Sequence, residues 1–273
     1  MALKKTINTL NYKQKFRYFD LVRELAVTDF KIKYQGSLIG YAWSLVKPLA
    51  MFGVLYLVFT VFVRIGSTIP HYALYLLLGI VLWTYFSDTT NTAMRSVADK
   101  GDMMRKVYFP RIIIILSASI SSAVTLLLNM LIVVVFMIFA RITPTLSMLP
   151  FVLLIFEMYI LCLGVSFLLS AMFVKFRDIG HTWEVILQLL CYSSAVIYPL
   201  SIVPVKFQKF ILLSPITQII QDSRYVLISN STIVARDVLA FPFVLIPYII
   251  PFVLLATGYI YFTKSSKNFA EES

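Results

Sequence analysis

Long apolar runs separated by short charged segments dominate the chain from Gly36 onward. A helix needs about 18–20 residues at 1.5 Å each to cross hydrocarbon. Windows of that order free of Asp, Glu, Lys and Arg run from Ile65 to Ser87, Ile112 to Ala140, Val185 to Val205 and Val238 to Thr263, with a fifth from Ile142 to Lys175 that holds Glu157 as its one interior charge. Pro48 to Val63 is shorter, but the uncharged stretch Gly36 to Val46 precedes it with only Lys47 between, so a tilted or kinked span fits. The pattern predicts an all-α membrane protein, one transmembrane domain over residues 1–273, with six spans at 40–63, 70–92, 111–140, 146–174, 183–199 and 238–263.

The segments between and before these runs carry their own periodicity. Over residues 17–34 a helical wheel puts Arg17, Asp20, Arg23, Glu24 and Lys31 in one arc and Phe19, Leu21, Val22, Leu25, Ala26, Phe30 and Ile32 in the other, with Val27, Asp29 and Lys33 off pattern. That is an amphipathic helix lying along the membrane, its polar arc either solvated or a docking surface. Asn91 to Arg111 is polar and of mixed charge, long enough for a short cytoplasmic helix at 96–106, broken by Gly101 and ended by Phe109-Pro110. After the fifth span, Pro199, Pro204, Lys206 and Lys209 lead to a second apolar stretch, Phe210 to Ile220, which Pro215 interrupts and which is too short to cross. This predicts an outer re-entrant region over 200–224, which is tolerated only against protein or a water-filled path.

Composition and charge narrow the class. Hydrophobic residues make up 60% of the chain and charged ones 14%, against roughly 25% charged in soluble domains. Of the 24 Lys and Arg residues, only Arg64, Arg141, Lys206, Lys209, Arg224 and Arg236 fall in outer segments when both termini are placed inside. The net charge of +11 is therefore a topological signal. A nucleic-acid partner would call for a basic soluble domain, and none is predicted. Both cysteines, Cys162 and Cys191, lie in predicted spans as packing residues.

No phosphate loop, paired catalytic carboxylates or metal-ligand cluster is legible, so no catalytic, metal or cofactor site is expected in this chain. Two features invite a binding role. Phe52, Tyr56 and Phe59 recur on one helical line, with Tyr41 on its extension; the stripe either stacks on sugar rings or packs against lipid and neighbouring helices. Glu157, the one acid deep in a span, should face the bundle, and Gly164 and Ala171 at heptad spacing would make that face a close helix contact.

The stretches FKIKYQGSLIGYAWSLVKPL (30–49), GDMMRKVYFPR (101–111), FVKFRDIGHTWEVILQ (173–188), SAVIYPL (194–200) and SPITQIIQDSR (214–224) resemble the membrane subunits of type-2 ABC exporters of polysaccharide, such as O-antigen, teichoic acid and galactan. The resemblance covers nearly the whole chain; Ser214 departs from the Asn that many relatives carry there. It implies a permease of the bacterial inner membrane that dimerises with a second copy over two ATP-binding cassette subunits. The ATP and Mg sit on those partners, and lipid-linked polysaccharide is the substrate. It also implies a residue set. Glu24, Asp99, Lys100, Asp102, Arg105, Arg177 and Asp178 would meet the ATPase, with Asp178 alternatively capping the helix that follows. Lys33, Lys47 and Arg111 would flank the substrate entrance, and Tyr41, Phe52, Tyr56 and Phe59 would line the channel. The remaining readings are a permease for a drug or small lipid, a membrane-embedded glycan-processing enzyme and a non-transporting scaffold.

Overall fold

A computed structural model describes residues 18–33, 38–64, 66, 69–106 and 109–266, without the side chains of residues 38–42. The termini, on which the inside placement of both ends rests, and Arg17 lie outside the described residues. Every regular element described is a helix: α1 (residues 18–33), α2 (Leu38–Leu57, continuing as a π turn to Phe62), α3 (Tyr72–Asp99), α4 (Gly101–Lys106), α5 (Ile112–Phe139), α6 (Pro150–Lys175), α7 (Ile179–Ser193), α8 (Val205–Leu212), α9 (Pro215–Leu227), α10 (Ala235–Val238) and α11 (Ile246–Ser265).

Five of these are long and apolar enough to cross a membrane among the described residues: Trp43–Phe62, Tyr72–Asp99, Ile112–Phe139, Leu146–Lys175 and Phe243–Ser265. The sixth expected span is built differently. α7 has 15 residues, about 22 Å at 1.5 Å each, short of a hydrocarbon layer of about 30 Å. It starts before the expected 183 and ends at Ser193, where Ala195 adopts a left-handed φ of 51° and turns the chain away.

α3 is the central post. Its Leu76, Leu77, Leu78, Ile80 and Leu82 are fully buried, and it packs on α2, α5, α6, α7 and α9. It also runs past the expected end at 92 to Asp99, so the first part of the hydrophilic insertion is an extension of this helix; α4 follows as a separate short helix, begun rather than broken by Gly101. The other close contact is α6 on α11. A Cβ at Gly164 would lie 2.6 Å from the Leu254 carbonyl carbon and the Leu255 nitrogen, and one at Gly258 would strike the Gly164 carbonyl oxygen, so the backbones touch where the side chains are missing.

Candidate functional site

Three arrangements of polar side chains stand out. The first is a groove of about 440 Å³ along α3, walled by α2 and α7. Ser87, Asp88 and Asn91 form its floor with Trp83, Lys47 and Met51 come from α2, and Glu184, Gln188 and Tyr192 come from α7. α7 is held against α3 by a narrow stripe, Trp183, Leu187 and Cys191, and by the Trp183 indole N–H donating to Thr90 Oγ1 at 3.2 Å. The rest of α7 is open: Val185, Leu189 and Tyr192 are exposed, as are Trp43, Val54 and Leu57 of α2. At the inner end Arg95 pairs with Glu184 at 3.0 Å, and Lys33 approaches Asp88 at 4.0 Å.

The second is a cleft of about 140 Å³ at the inner end of α3, lined by Asp99, Asp102, Arg105 and Arg177. Residues from α3, α4 and the turn after α6 converge there. α1 is tied beside it: Lys100 Nζ donates to Asp29 Oδ2 at 2.6 Å, and Ser117 Oγ of α5 donates to the same oxygen at 3.2 Å. Asp29 lies off the polar arc of the wheel, and this bond is the reason: it belongs to the face α1 turns to the bundle.

The third holds the broken segments from α7 to α9 together. Arg224 of α9 is fully buried and lies 3.7 Å over the Tyr75 ring. It donates Nε to the Tyr75 carbonyl at 3.1 Å, Nη1 to the Ala195 carbonyl at 2.9 Å and to Gln221 Oε1 at 3.1 Å, and Nη2 to the Val196 carbonyl at 2.7 Å. The last two carbonyls follow the end of α7 and have no helical partner, so the guanidinium supplies the donors that hydrocarbon cannot. Gln208 of α8 does the same next along the chain, donating Nε2 to the Leu200 and Val203 carbonyls at 3.2 and 2.8 Å. Gly79 of α3 makes room, since a Cβ there would meet the Arg224 guanidinium and the Val196 oxygen.

The sequence-derived residues distribute unevenly over these sites. Asp99, Asp102, Arg105 and Arg177 come together; Lys100 is turned to Asp29 instead, and Glu24 is exposed on α1. Asp178 occupies the N-cap position of α7 but its side chain makes no capping bond, so the capping alternative is not realised. Lys47 lines the groove and Lys33 sits at its inner end, whereas Arg111 is half-buried at the start of α5 and is not among the groove's lining residues.

Phe52 is buried edge-on against Phe136 of α5 at 5.3 Å and stacks on Tyr56 at 5.5 Å, Tyr56 on Tyr72 at 6.3 Å, and Tyr72 on Tyr75 at 6.2 Å. Phe59 is half-buried on the core, and the Tyr41 side chain lies outside the described residues. The stripe is thus a row of rings leading to Arg224, exposed mainly at Tyr56. Glu157 faces Gln218 and Asp222 of α9 from α6, and Asp222 accepts from Gln218 at 2.8 Å and from Tyr248 at 2.7 Å.

Sequence reasoning missed Arg224 and the groove floor. Arg224 was counted with the outer charges because a Lys/Arg tally treats every basic residue outside a window alike. The signal was there in Thr217, Gln221 and Arg224, which share one side of a short helix at i, i+4 and i+7 between apolar positions. The floor residues Ser87, Asp88 and Asn91 lay inside the expected span 70–92, but nothing in one helix's pattern says which neighbours they face.

Comparison with known proteins places these sites in context. The sequence model of the family described as "ABC-2 type transporter" matches residues 21–228, which takes in all three. Two proteins of Klebsiella pneumoniae, each named "O-antigen export system permease protein RfbA", are 27% and 28% identical over 254 residues, 93% of this chain and 95% of theirs. A protein of the same name from Myxococcus xanthus is 27% identical over 187 residues, 68% of this chain and 71% of its own.

Proposed function

The chain belongs to the ABC-2 type transporter family as a multi-pass membrane transport subunit with an ATP-binding cassette subunit for partner, and from that premise we propose that it is the permease of a polysaccharide exporter. The groove along α3 carries the reading. Its lining mixes rings (Trp83, Tyr192) with hydroxyl, amide and carboxylate groups, the combination that holds a sugar polymer by many weak contacts and lets it slide. One subunit supplies only a half-open wall. The exposed faces of α2 and α7 on either side of it fit closure by a second copy, since two-fold homo-oligomers are the commonest solution.

In this proposal a lipid-linked polysaccharide enters from the inner leaflet past Lys33 and Lys47, with Arg111 on the far flank, because basic groups attract an anionic lipid head at about 1 kcal/mol each. Tyr41, Tyr56 and Phe59 border the path, and Phe52 backs them from within the subunit. Two ATPase subunits dock on the cleft at Asp99, Asp102, Arg105 and Arg177 and on the Glu24 face of α1. The location is the bacterial inner membrane with both termini cytoplasmic.

The test is export by the permease and its ATPase in proteoliposomes. Trp83→Leu with Tyr192→Leu keeps apolar bulk and removes the rings, so long-polymer export should fall several-fold with ATPase co-purification intact. Unchanged export of full-length polymer would remove the groove from the path. Undiminished transport of a small amphiphile alongside failure with any polymer would favour the drug or small-lipid permease instead.

A further inference from the structure

We infer that α1 and α5 form a binding site for one acidic phospholipid of the inner leaflet. Between these helices runs a cleft of about 360 Å³. Its walls are Phe19, Val22, Ala26, Val27 and Phe30 of α1 with Ile120, Ser121 and Val124 of α5, and among the described residues the charged ones on it are Arg23 and Lys31. Arg23 and Lys31 are eight residues apart, about 12 Å along the helix axis, so they bracket the mouth from its two ends.

The depth of the cleft is fixed. α1 is anchored to the inner end of the bundle through Asp29, Lys100 and Ser117. Ile120 and Val124 lie eight and twelve residues into α5 from Ile112, about 12–18 Å along it, which is acyl-chain depth. Beyond the cleft the exposed side chains continue as Leu127 and Leu131 on the same helical line, a track along which a chain can lie. Apolar walls below two cations match one amphiphile with an anionic head. A free phosphate would leave the walls in water, and a zwitterionic lipid would leave the cations without a net counter-charge. Attraction of basic residues to an anionic leaflet draws the lipid in; of the acids on α1, Asp29 is paired with Lys100, and Asp20 and Glu24 are exposed and do not line the cleft.

Native mass spectrometry of the intact permease with its ATPase, exchanged between nanodiscs of phosphatidylglycerol and of phosphatidylcholine, reads this directly. Wild type should retain one phosphatidylglycerol per permease subunit beyond those it keeps of phosphatidylcholine. Arg23→Gln with Lys31→Gln should lower that retention at least tenfold, and Val124→Trp, which fills the cleft and spares the charges, should abolish it. Inorganic phosphate at millimolar concentration should displace none of it. Equal retention of the two lipids by wild type, or undiminished retention in both variants, overturns the site. Displacement by phosphate alone would reduce it to a surface anion contact and overturn the lipid reading as well.

Discussion

The two ends of the bundle use charge in opposite ways. At the end that carries α8 and α9, Arg224 donates to the backbone carbonyls of Tyr75, Ala195 and Val196 and to one amide oxygen. At the end that carries α4 the charges pair with one another, Lys100 with Asp29, Arg95 with Glu184 and Lys33 with Asp88, and all of them are at least partly exposed. The difference follows from the backbone. α7, α8 and α9 are short helices whose ends must find donors for their freed carbonyls, whereas α3 runs unbroken to the other end, where the charges meet each other. The buried charge is scaffolding for the fold, and the exposed ones are those to which the proposed function assigns partners.

The largest effect is expected at Arg224. Arg224→Leu strips the Ala195 and Val196 carbonyls of their donors, and at about 1–3 kcal/mol for each buried acceptor left without one the loss is on the order of 2–6 kcal/mol. Thermal unfolding of purified permease should show it as a large downward shift. Arg224→Lys restores the charge but not the fork that reaches three carbonyls, so it should recover less than half. Full recovery with Lys would mean that the positive charge alone matters. Ala195→Gly should move the other way, since the left-handed conformation costs a non-glycine residue about 1–2 kcal/mol.

Next in size is the α6–α11 crossing. Gly164→Leu places its first carbon inside the backbone of Leu254 and Leu255, which cannot rotate away as a side chain would. Overpacking of this kind costs about 1–3 kcal/mol. Gly53, where an added Cβ meets nothing, is the control: Gly53→Ala should leave stability unchanged or improve it. Equal loss at both positions would mean that the crossing does not set the effect, since helix propensity favours both replacements over Gly.

How much of this could be read from the sequence differs by end for the same physical reason. Where charge exclusion marks both boundaries the helix lies within a residue of its expected place, as with Ile112–Phe139 against 111–140, whereas α3 runs seven residues past the expected 92. Gly164 was legible as a close contact because spacing on one helix needs no knowledge of its neighbour. Where a helix breaks inside the membrane neither marker operates, so α7 was drawn too long and Arg224 was placed outside. The convergence of Asp99, Asp102, Arg105 and Arg177 followed from family resemblance. The groove needed the three-dimensional pairing of α3 with α7, which no local pattern contains.

At the inner end effects should fall on partners and leave the fold intact. Asp99→Lys or Asp102→Lys reverses charge on the rim of a wet cleft, where complementarity tunes association more than stability. ATPase co-purification should drop by about an order of magnitude, or roughly 1.4 kcal/mol, with the permease's unfolding temperature unmoved. Glu24→Lys on α1 should add to that loss if the two segments share one docking face. Retention of the ATPase by all three reversals would return these residues to the status of solvated charges.

The smallest expected change in stability tests whether the inner pairs are structural at all. Arg95 and Glu184 bond at 3.0 Å with about half of each side chain exposed, and pairs of that exposure contribute about 0–1 kcal/mol. Arg95 also rests on the Phe173 ring at 6.0 Å, so its removal loses packing as well as charge. A double-mutant cycle of Arg95→Gln and Glu184→Gln separates the two, because only the pair term survives the subtraction. That term should stay below about 1 kcal/mol. Glu184 also lines the groove, so Glu184→Gln should alter export while the unfolding temperature stays within error of wild type. A stability loss rivalling that of Arg224→Leu, with export unaffected, would erase the distinction between the two ends and make the inner pair a second clamp.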